Sequence, residues 1–317
     1  MKQALFIGIS VFTLLFAIAC GGPVIPPLDL GNSNTEGDAP HFTPRYRPMI
    51  PVETVALSGG YFVLGENLGT VGENSMPVSA VTLSGFHIGR YPITQEEFYQ
   101  VMGVNPSRFT LEERPLQAGE TNALRRPVET VSWYSAIVFC NRLSVMEGLT
   151  PAYRINGSTD PAVWGDVPAS RNSAWDAVQI VPGSTGYRLP TEAQWEYAAK
   201  GGNNPPAGYT YSGGNNVNEV AWHSGNSNSR TREVGRLQPN VLGIYDMSGN
   251  VFEWCWDWWG SYTSGAKTDP TGPSAGSNRV LRGGSWGDSA SGTRSVDRDA
   301  YDPGHRGNVI GFRLVRP

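Results

Sequence analysis

Short alternating runs of apolar and polar residues begin the patterned part of the chain, after about fifty residues that show no periodicity. The runs occupy 54–57, 61–64, 78–83 and 86–88, and Gly59-Gly60 separates the first two. Alternation with a period of two is typical of strands that bury one face. The pattern therefore predicts four short strands joined by tight turns.

Helical spacing follows directly after these runs. Thr94 and Glu97 stand three residues apart, as in a capping box. Ile93 and Phe98 are placed for the hydrophobic staple that often accompanies such a box. Two independent signals therefore predict that a helix begins at Thr94.

Two further helices are expected later in the chain. Ser132 precedes a run that carries its apolar residues on one face, so a helix is predicted to begin there. Thr191 and Gln194 repeat the capping-box spacing, and Gly201-Gly202 marks the end of that helix.

The C-terminal part of the chain has two apolar runs around a polar segment. Val280-Leu281 and the run from Ile310 to Leu314 are predicted strands, and residues 287–309 lie between them. Surface segments held between strands are common positions for binding residues. The chain has few helical patterns but 39 glycines and 10 tryptophans, which favours an α+β fold with much irregular structure.

The N-terminus carries the features of an export signal. Lys2 precedes an apolar run that ends at Ala19, and Ala17-Ile-Ala-Cys20 resembles the lipobox of bacterial lipoproteins. We expect residues 1–19 to be a signal peptide and Cys20 to be lipidated. An ordinary signal peptide and a single membrane span are the alternatives.

The segment after Cys20 differs in composition from the rest. Residues 20–50 are rich in Pro, Gly, Asn and Thr, as in a flexible tether, whereas residues 51–317 contain no internal linker and are expected to form one domain. Acyl chains would anchor this domain to a membrane. The expected location is the bacterial outer membrane, facing the cell exterior, and periplasmic display is the alternative.

Charge and cysteine usage exclude some functions. The formal net charge is −4, and removal of residues 1–19, which include Lys2, makes it −5. The chain has no basic stripe, so nucleic acid is not expected as a partner. Cys140 and Cys255 each lie in an apolar run without metal-type spacing, and two buried free thiols are expected rather than a disulfide.

Several long motifs occur in an order that identifies a family. They are Gly186–Ala199, Gly243–Trp254, Arg282–Trp286 and Gly311–Arg313, preceded by Pro92–Thr94 and Pro127–Trp133. In these motifs the chain resembles the formylglycine-generating-enzyme (sulfatase-modifying-factor) family, from about Val55 to Leu314. The resemblance implies a C-type-lectin-like fold, which agrees with the α+β pattern.

The same resemblance draws attention to two positions. The family's enzymes oxidise a substrate cysteine with two copper-binding cysteines that follow the Gly-Gly-Ser-aromatic motif. The matching positions here are Asp288 and Thr293. Neither side chain supplies the soft sulfur ligand that selects Cu(I), so we expect no copper and no enzymatic activity.

The composition of residues 287–309 is restricted. The segment contains no Lys, Glu, Gln, Trp or Met, although these types make up 42 of the 317 residues and about three would be expected among 23 positions. Codons of the form NNC cannot encode these five types. The segment is similar to the C-terminal regions of the variable proteins of diversity-generating retroelements, which implies a diversified surface that binds a protein or another cell-surface ligand.

The displayed residues and their supports follow from that resemblance. Arg294, Arg298 and Arg306 are the candidate framework donors to the segment's backbone. Tyr301 and His305 are the best anchors, because aromatic side chains bury much area at low entropic cost. The candidate ligand-binding residues are Gly287, Asp288, Gly292, Asp297, Asp299, Tyr301, Asp302, Gly304, His305, Gly307 and Asn308.

Other interpretations of the segment remain open. The first is that the segment is a solvated loop without a ligand. The second is that His305 forms a general-base pair with Asp297, Asp299 or Asp302. For the whole protein, the alternatives are a formylglycine-generating oxidase and a non-variable structural envelope lipoprotein.

A calcium site is the remaining chemical candidate. The matching stretch of the family's enzymes is a calcium loop, which implies carboxylates from Asp246 and Glu253 and carbonyls from Gly249 and Val251. Hard oxygen ligands of this kind suit Ca²⁺. The alternative is a capped turn in which Glu253 pairs with a backbone amide or an arginine.

Overall fold

Short strands make up most of the regular structure in the computed structural model, which describes residues 51–66, 75–203, 206 and 208–317. The predicted signal peptide 1–19, lipidated Cys20 and tether 20–50 lie outside the described residues. The strands are β1 Thr54–Leu57, β2 Gly60–Leu64, β3 Ser79–Leu83, β4 Phe86–Gly89, β5 Tyr153–Arg154, β6 Gln179–Ile180, β7 Phe252–Trp258, β8 Ala266–Thr268, β9 Arg279–Arg282, β10 Arg298–Tyr301, β11 Ile310–Gly311 and β12 Val315–Arg316.

The predicted helix starts are confirmed. Thr94 and Thr191 each form a complete capping box, and Ser132 caps the helix between them by accepting from the backbone of Ser135. Gly201 ends the last of these helices in the left-handed conformation, at φ 97°. The helices are α1 Gln95–Met102, α2 Trp133–Met146, α3 Ser173–Asp176, α4 Glu192–Lys200 and α5 Val217–Val220, with 3₁₀ turns at Ala123–Arg125, Pro161–Val163 and Ala290–Thr293.

Among the described ranges, no helix is long and apolar enough to cross a membrane.

The four strands predicted from alternation form two antiparallel pairs. β1 and β4 are antiparallel, and β12 joins β4 on its other side. β2 and β3 are antiparallel, and β8 is parallel to β3. The predicted fold class is confirmed, because short strands and few helices are joined by long irregular connections.

A four-stranded sheet in the order β10-β9-β7-β11 runs through the core. Successive residues of β7 enter different apolar clusters, Trp254 on one face and Cys255 on the other, and Leu281 and Val280 of β9 do the same. Both faces of the central strands are therefore buried, and their buried residues include charged side chains rather than following a simple apolar–polar alternation.

One strand of this sheet was not located from the sequence. Residues 287–309 were expected to be a surface segment held between strands, and β10 lies within them and pairs with β9, with Asp299 opposite Leu281. The sequence Arg-Asp-Ala-Tyr has no alternation that would reveal a strand. β9, which is already fixed in the sheet by β7, supplies the pairing partner.

Candidate ligand-binding face

The polar segment 287–309 leaves the central sheet through a glycine turn. Gly283 and Gly284 have φ values of 94° and 71°, in the left-handed region that favours glycine. A Cβ atom on Gly284 would lie 2.3 Å from the carbonyl oxygen of Gly292, so the segment folds back tightly against its own start. The shape of this turn therefore depends on two residues that carry no side chain.

Two side chains of the motif before the segment hold its backbone. Arg282 donates to the carbonyl oxygens of Ser295, at 3.0 Å, and of Asp297. The indole nitrogen of Trp286 donates to the carbonyl oxygen of Asn308 at 2.9 Å, so it ties the far end of the segment to the near end. From the sequence, such donors were predicted at Arg294, Arg298 and Arg306. Arg282 was not predicted, although it lies inside the recognised motif.

Backbone groups elsewhere in the chain complete this support. Four N–H groups that are distant in sequence donate to carbonyl oxygens of the segment at 2.8–3.1 Å, and one N–H of the segment donates to a distant carbonyl oxygen at 3.1 Å. The pairs are Ser224 N to Asp288 O, Trp133 N to Pro303 O, Thr130 N to Gly307 O, Phe252 N to Val309 O, and Ser295 N to Thr210 O. None of these bonds uses a side chain of the segment, so this part of its support does not depend on which side chains it carries.

Buried ion pairs fix the donors themselves. Arg282, fully buried, pairs with Glu196 on α4, and Glu196 also pairs with Lys200 at 2.7 Å. Burial alone would raise the pKa of Glu196, but the charges of Lys200 and Arg282 outweigh burial and lower that pKa. Both partners are therefore charged at neutral pH, and the geometry of Arg282 is rigid.

The predicted framework arginines have different environments. The side chain of Arg298 is buried and pairs with Glu192, and its guanidinium lies 3.8 Å from the ring centre of Tyr262. It also donates to the carbonyl oxygen of Gly260 at 3.2 Å, so it fixes the segment through residues outside it, and its role as a donor to the segment's own backbone stays a prediction. Arg306 is exposed and has no hydrogen bond to the part of the chain that the structure describes, so its predicted framework role is wrong. Arg294 is half-buried.

The two predicted aromatic anchors lie together. The rings of Tyr301 and His305 stack with centroids 4.5 Å apart and an interplanar angle of 14°. Tyr301 is 41% exposed, and His305 is exposed as well. The pair forms a flat aromatic surface at the edge of the sheet, of the kind that supplies contact area at low entropic cost.

The aspartates of the segment mainly cap local turns. Asp288 accepts from the backbone and hydroxyl of Ser285 at 3.0 and 2.5 Å, and Asp302 accepts from the backbone of Gly304 at 2.8 Å. Burial, with the charge of Asp288 in addition, raises the pKa of Asp299. Within the described residues, none of these carboxylates is hydrogen-bonded to the His305 ring, so the geometry gives no support to the general-base interpretation.

One of the predicted displayed positions was wrong. Gly304 is buried, and a Cβ atom there would lie 2.6 Å from the Cα atom of Ser170. This position supports the turn and cannot present a side chain. Gly287 is exposed, and the remaining predicted glycine and asparagine positions, Gly292, Gly307 and Asn308, are half-buried.

The positions that match the catalytic cysteines offer no thiol chemistry. Thr293 is buried, and its hydroxyl donates to the carbonyl oxygen of Ala290 at 3.0 Å, while Asp288 is engaged with Ser285. Cys140 and Cys255 are buried free thiols, as predicted, and burial raises the pKa of each. Neither cysteine is available as a thiolate.

The proposed calcium ligands are engaged with protein donors. Both oxygens of Glu253 accept from Arg313, at 2.6 and 2.7 Å, and one also accepts from the Trp195 indole at 2.7 Å. Asp246 accepts on both oxygens, including a 2.8 Å bond from Gly235 N, and burial raises its pKa to about 6. Calcium needs six to eight oxygen ligands. As folded, this set does not fit the ion. The arrangement is that of the alternative, a capped turn in which Glu253 pairs with an arginine, and a calcium ion would have to displace Arg313 in order to bind Glu253.

Comparisons with known proteins agree with this architecture. The model of the sulfatase-modifying factor enzyme 1-like domain matches residues 40–317. Over 254 residues the chain is 40% identical to the protein named chaperone protein LppX of Paenibacillus barcinonensis, covering 74% of this chain and 81% of that protein. Over 314 residues it is 28% identical to the formylglycine-generating enzyme of Streptomyces coelicolor, covering 86% and 91%.

A solved structure is similar over most of the described domain. Treponema denticola variable protein 1 superposes with a TM-score of 0.75 and 40% identity, covering 83% of this chain and 95% of that one. The motifs, the central sheet and the matched family model lead to the same conclusion. The chain belongs to the sulfatase-modifying factor enzyme 1-like domain family.

Proposed function

We propose that this protein is a surface-displayed lipoprotein that binds a protein or another cell-surface ligand through residues 287–309, and that a retroelement diversifies this segment. Cys20 would carry the lipid, and the outer membrane would present the domain to the cell exterior. We expect no nucleic-acid partner, because the net charge of the chain is negative.

The observation that carries the proposal is the way the segment is supported. Its carbonyl oxygens accept from Arg282, Trp286 and backbone groups outside the segment. Every residue type has a carbonyl oxygen, so these bonds persist when side chains change. A binding surface can then be altered residue by residue without refolding its scaffold.

The exposed aromatic pair supports ligand binding in the present sequence. Tyr301 and His305 form a stacked surface next to partly buried aspartates. Aromatic anchors of this kind dominate many protein interfaces. They distinguish the proposal from a structural envelope protein, which has no need of an exposed aromatic surface at this edge.

The proposal also includes the absence of catalysis. The positions equivalent to the copper-binding cysteines are Asp288 and Thr293, both engaged in local hydrogen bonds, and the two remaining cysteines are buried. A formylglycine-generating oxidase is the competing function. Copper-dependent oxidation of a cysteine peptide by the full chain would establish that alternative and overturn the proposal.

Two measurements test the proposal directly. Sequencing of the locus from many isolates should show substitutions concentrated in 287–309 that spare Arg282, Trp286 and Gly304, beside a near-identical template repeat. Substitutions spread evenly over 51–317 would overturn diversification.

The binding itself is tested with cells. Binding of the full chain to intact bacterial and animal cells, measured by flow cytometry, should weaken in a Tyr301→Ala/His305→Ala variant. Tyr99→Ala is a matched control, because Tyr99 is 42% exposed and lies on α1. Full retention of binding by the double variant would assign the interaction to another surface.

A further inference from the structure

The strand β10 lies at the edge of the central sheet and within the segment proposed to bind a ligand. In the order β10-β9-β7-β11, β9 is its neighbour on one side, and no strand of the described residues pairs with its other side. A strand at the edge of a sheet presents backbone N–H and C=O groups to whatever lies beside it. The pairing of β9 identifies which groups of β10 these are.

The hydrogen bonds of β9 alternate between its two neighbours. Trp259 directly follows β7, and its N–H donates to the carbonyl oxygen of Asn278 at 2.8 Å, so Asn278 turns its backbone groups toward β7. The direction alternates along an antiparallel strand, and the next residue, Arg279, therefore turns its groups toward β10. Tyr301 is opposite Arg279 in this pairing. The backbone groups of Tyr301 therefore face β9, and those of Ala300 face away from the sheet.

A side-chain contact agrees with this direction. The N–H of Ala300 donates to the Oδ1 atom of Asp299 at 2.7 Å rather than to a carbonyl oxygen of β9. The carbonyl oxygen of Ala300 faces the same way, and no donor to it is found in the part of the chain that the structure describes. An outward acceptor at the edge of a sheet is a position at which another strand can add.

The side chain of Asp299 covers this edge without closing it. Its carboxylate takes the place of a partner strand for one N–H, and charged side chains protect many sheet edges in this way. Asp299 is half-buried, and the only other charge that acts on it is the like charge of Asp288. Because no cation holds this carboxylate, a backbone carbonyl oxygen of an incoming strand can replace it at the N–H of Ala300.

We propose that β10 binds an extended segment of the ligand as a fifth strand of the central sheet. This inference rests on the proposed function, since it assigns the ligand of that face to a polypeptide rather than to a glycan or a lipid. Main-chain hydrogen bonds supply affinity in this mode of recognition, and neighbouring side chains supply selectivity.

The side chains of β10 divide between support and display. Asp299 and Tyr301 alternate with Arg298 and Ala300, so the two pairs lie on opposite faces of the sheet. The side chain of Arg298 is buried in an ion pair, whereas Tyr301 is 41% exposed and stacks on His305. An added strand places its own side chains beside Asp299 and Tyr301. Its bonds to the backbone persist when these two side chains change, so a diversified segment retains the ability to bind a strand.

Peptide selection tests the strand site. A phage-displayed library of random linear peptides is selected on the immobilised full chain after depletion on an Ala300→Pro variant. Proline removes the outward N–H and leaves the bonds of β10 to β9 in place, as at other edge strands. The selected peptides should bind the unaltered chain at least about tenfold more tightly than Ala300→Pro in fluorescence anisotropy.

N-methylation along a selected peptide shows whether it binds as a strand. Every second N–H of a strand faces its neighbour, so methylation should weaken binding at alternate positions. This readout uses the unaltered chain and therefore decides the matter even where Ala300→Pro lowers the Tm.

Ala118→Pro is the matched control. Ala118 is exposed in a turn in which the N–H of Glu120 donates to the carbonyl oxygen of Gln117 at 2.9 Å. Gly119 has a φ of 87°, as in a type II turn, which accepts proline at the second position. This variant should bind the selected peptides as the unaltered chain does.

Three results would overturn the strand site: no enrichment of peptides, equal affinity for Ala300→Pro, or sensitivity to N-methylation without alternation. A dimer of the unaltered chain that Ala300→Pro abolishes in sedimentation would assign the edge to a second copy instead. Binding to cells tests the proposed function separately. Strand-like peptide binding without binding to cells would overturn that function and leave the strand site in place, and the reverse result would do the opposite.

Discussion

Replacing Arg282 with methionine tests the idea that the support of the variable segment is separate from its displayed side chains. Arg282 is fully buried between α4 and the segment, where it pairs with Glu196 and donates to the carbonyl oxygens of Ser295 and Asp297. Methionine has a similar length and no charge. The variant therefore removes the ion pair and both carbonyl bonds with little change in volume.

The expected loss of stability is large. Removing one partner of a buried ion pair destabilises a protein by about 3–5 kcal/mol. Because Glu196 would still pair with Lys200 at 2.7 Å, we expect a loss of stability near the lower limit of this range. Each carbonyl oxygen left without its donor adds about 0.5–1 kcal/mol. The sum is about 4 kcal/mol, equivalent to a fall in Tm of about 10 °C for a domain of this size.

Urea denaturation followed by circular dichroism gives the free energy of unfolding, and thermal melting gives the matching Tm. Tyr301→Ala is the control from the displayed set. Its side chain is 41% exposed, so it should change stability by no more than about 1 kcal/mol. A loss below about 1 kcal/mol in Arg282→Met, or an equal loss in Tyr301→Ala, would refute the separation between support and display.

Three further predictions concern Gly304, Glu129 and the proposed calcium site. Gly304→Ala should destabilise the chain by about 1–3 kcal/mol in urea denaturation, because its Cβ atom would lie 2.6 Å from Ser170 Cα; an unchanged midpoint would contradict this. Burial raises the pKa of Glu129 to about 7 from 4.5, so its contribution to stability is complete below pH 4.5 and is lost as the pH rises through 7. The stability of the unaltered chain relative to Glu129→Gln should therefore fall between those pH values, and a rise would contradict it. Millimolar calcium should leave the Tm unchanged, because Arg313 occupies both oxygens of Glu253; an increase in Tm would show that the ion displaces the arginine.

Local signals in the sequence were sufficient for much of the fold. Capping boxes at Thr94 and Thr191 located two helices, because such boxes satisfy the first free N–H groups of a helix from within four residues. Alternation located β1 to β4, since one face of each pair is buried. β10 was missed because its pairing with β9 depends on a neighbour distant in sequence rather than on a pattern of its own.

Residue type identified the exposed aromatic residues of the binding face, but it did not identify the donors that hold the backbone. Tyr301 and His305 were expected to be anchors and are stacked together. Arg306 was expected to support the backbone but is exposed, whereas Arg282 does so from the adjacent strand. The sequence of a glycine-rich segment does not show whether its arginine pairs with a buried glutamate or is exposed to water.

The pattern of support also determines which substitutions the segment can accept. Bonds to carbonyl oxygens exclude no residue type, but two kinds of position remain restricted. Gly304 packs directly against the backbone of Ser170, and the N–H of Ser295 donates to Thr210, so a side chain at the first and a proline at the second would each remove part of the support. Diversification that preserves the fold should therefore vary Asp299 and Tyr301 while keeping glycine at 304 and excluding proline at 295, because a segment that does not fold cannot bind a ligand.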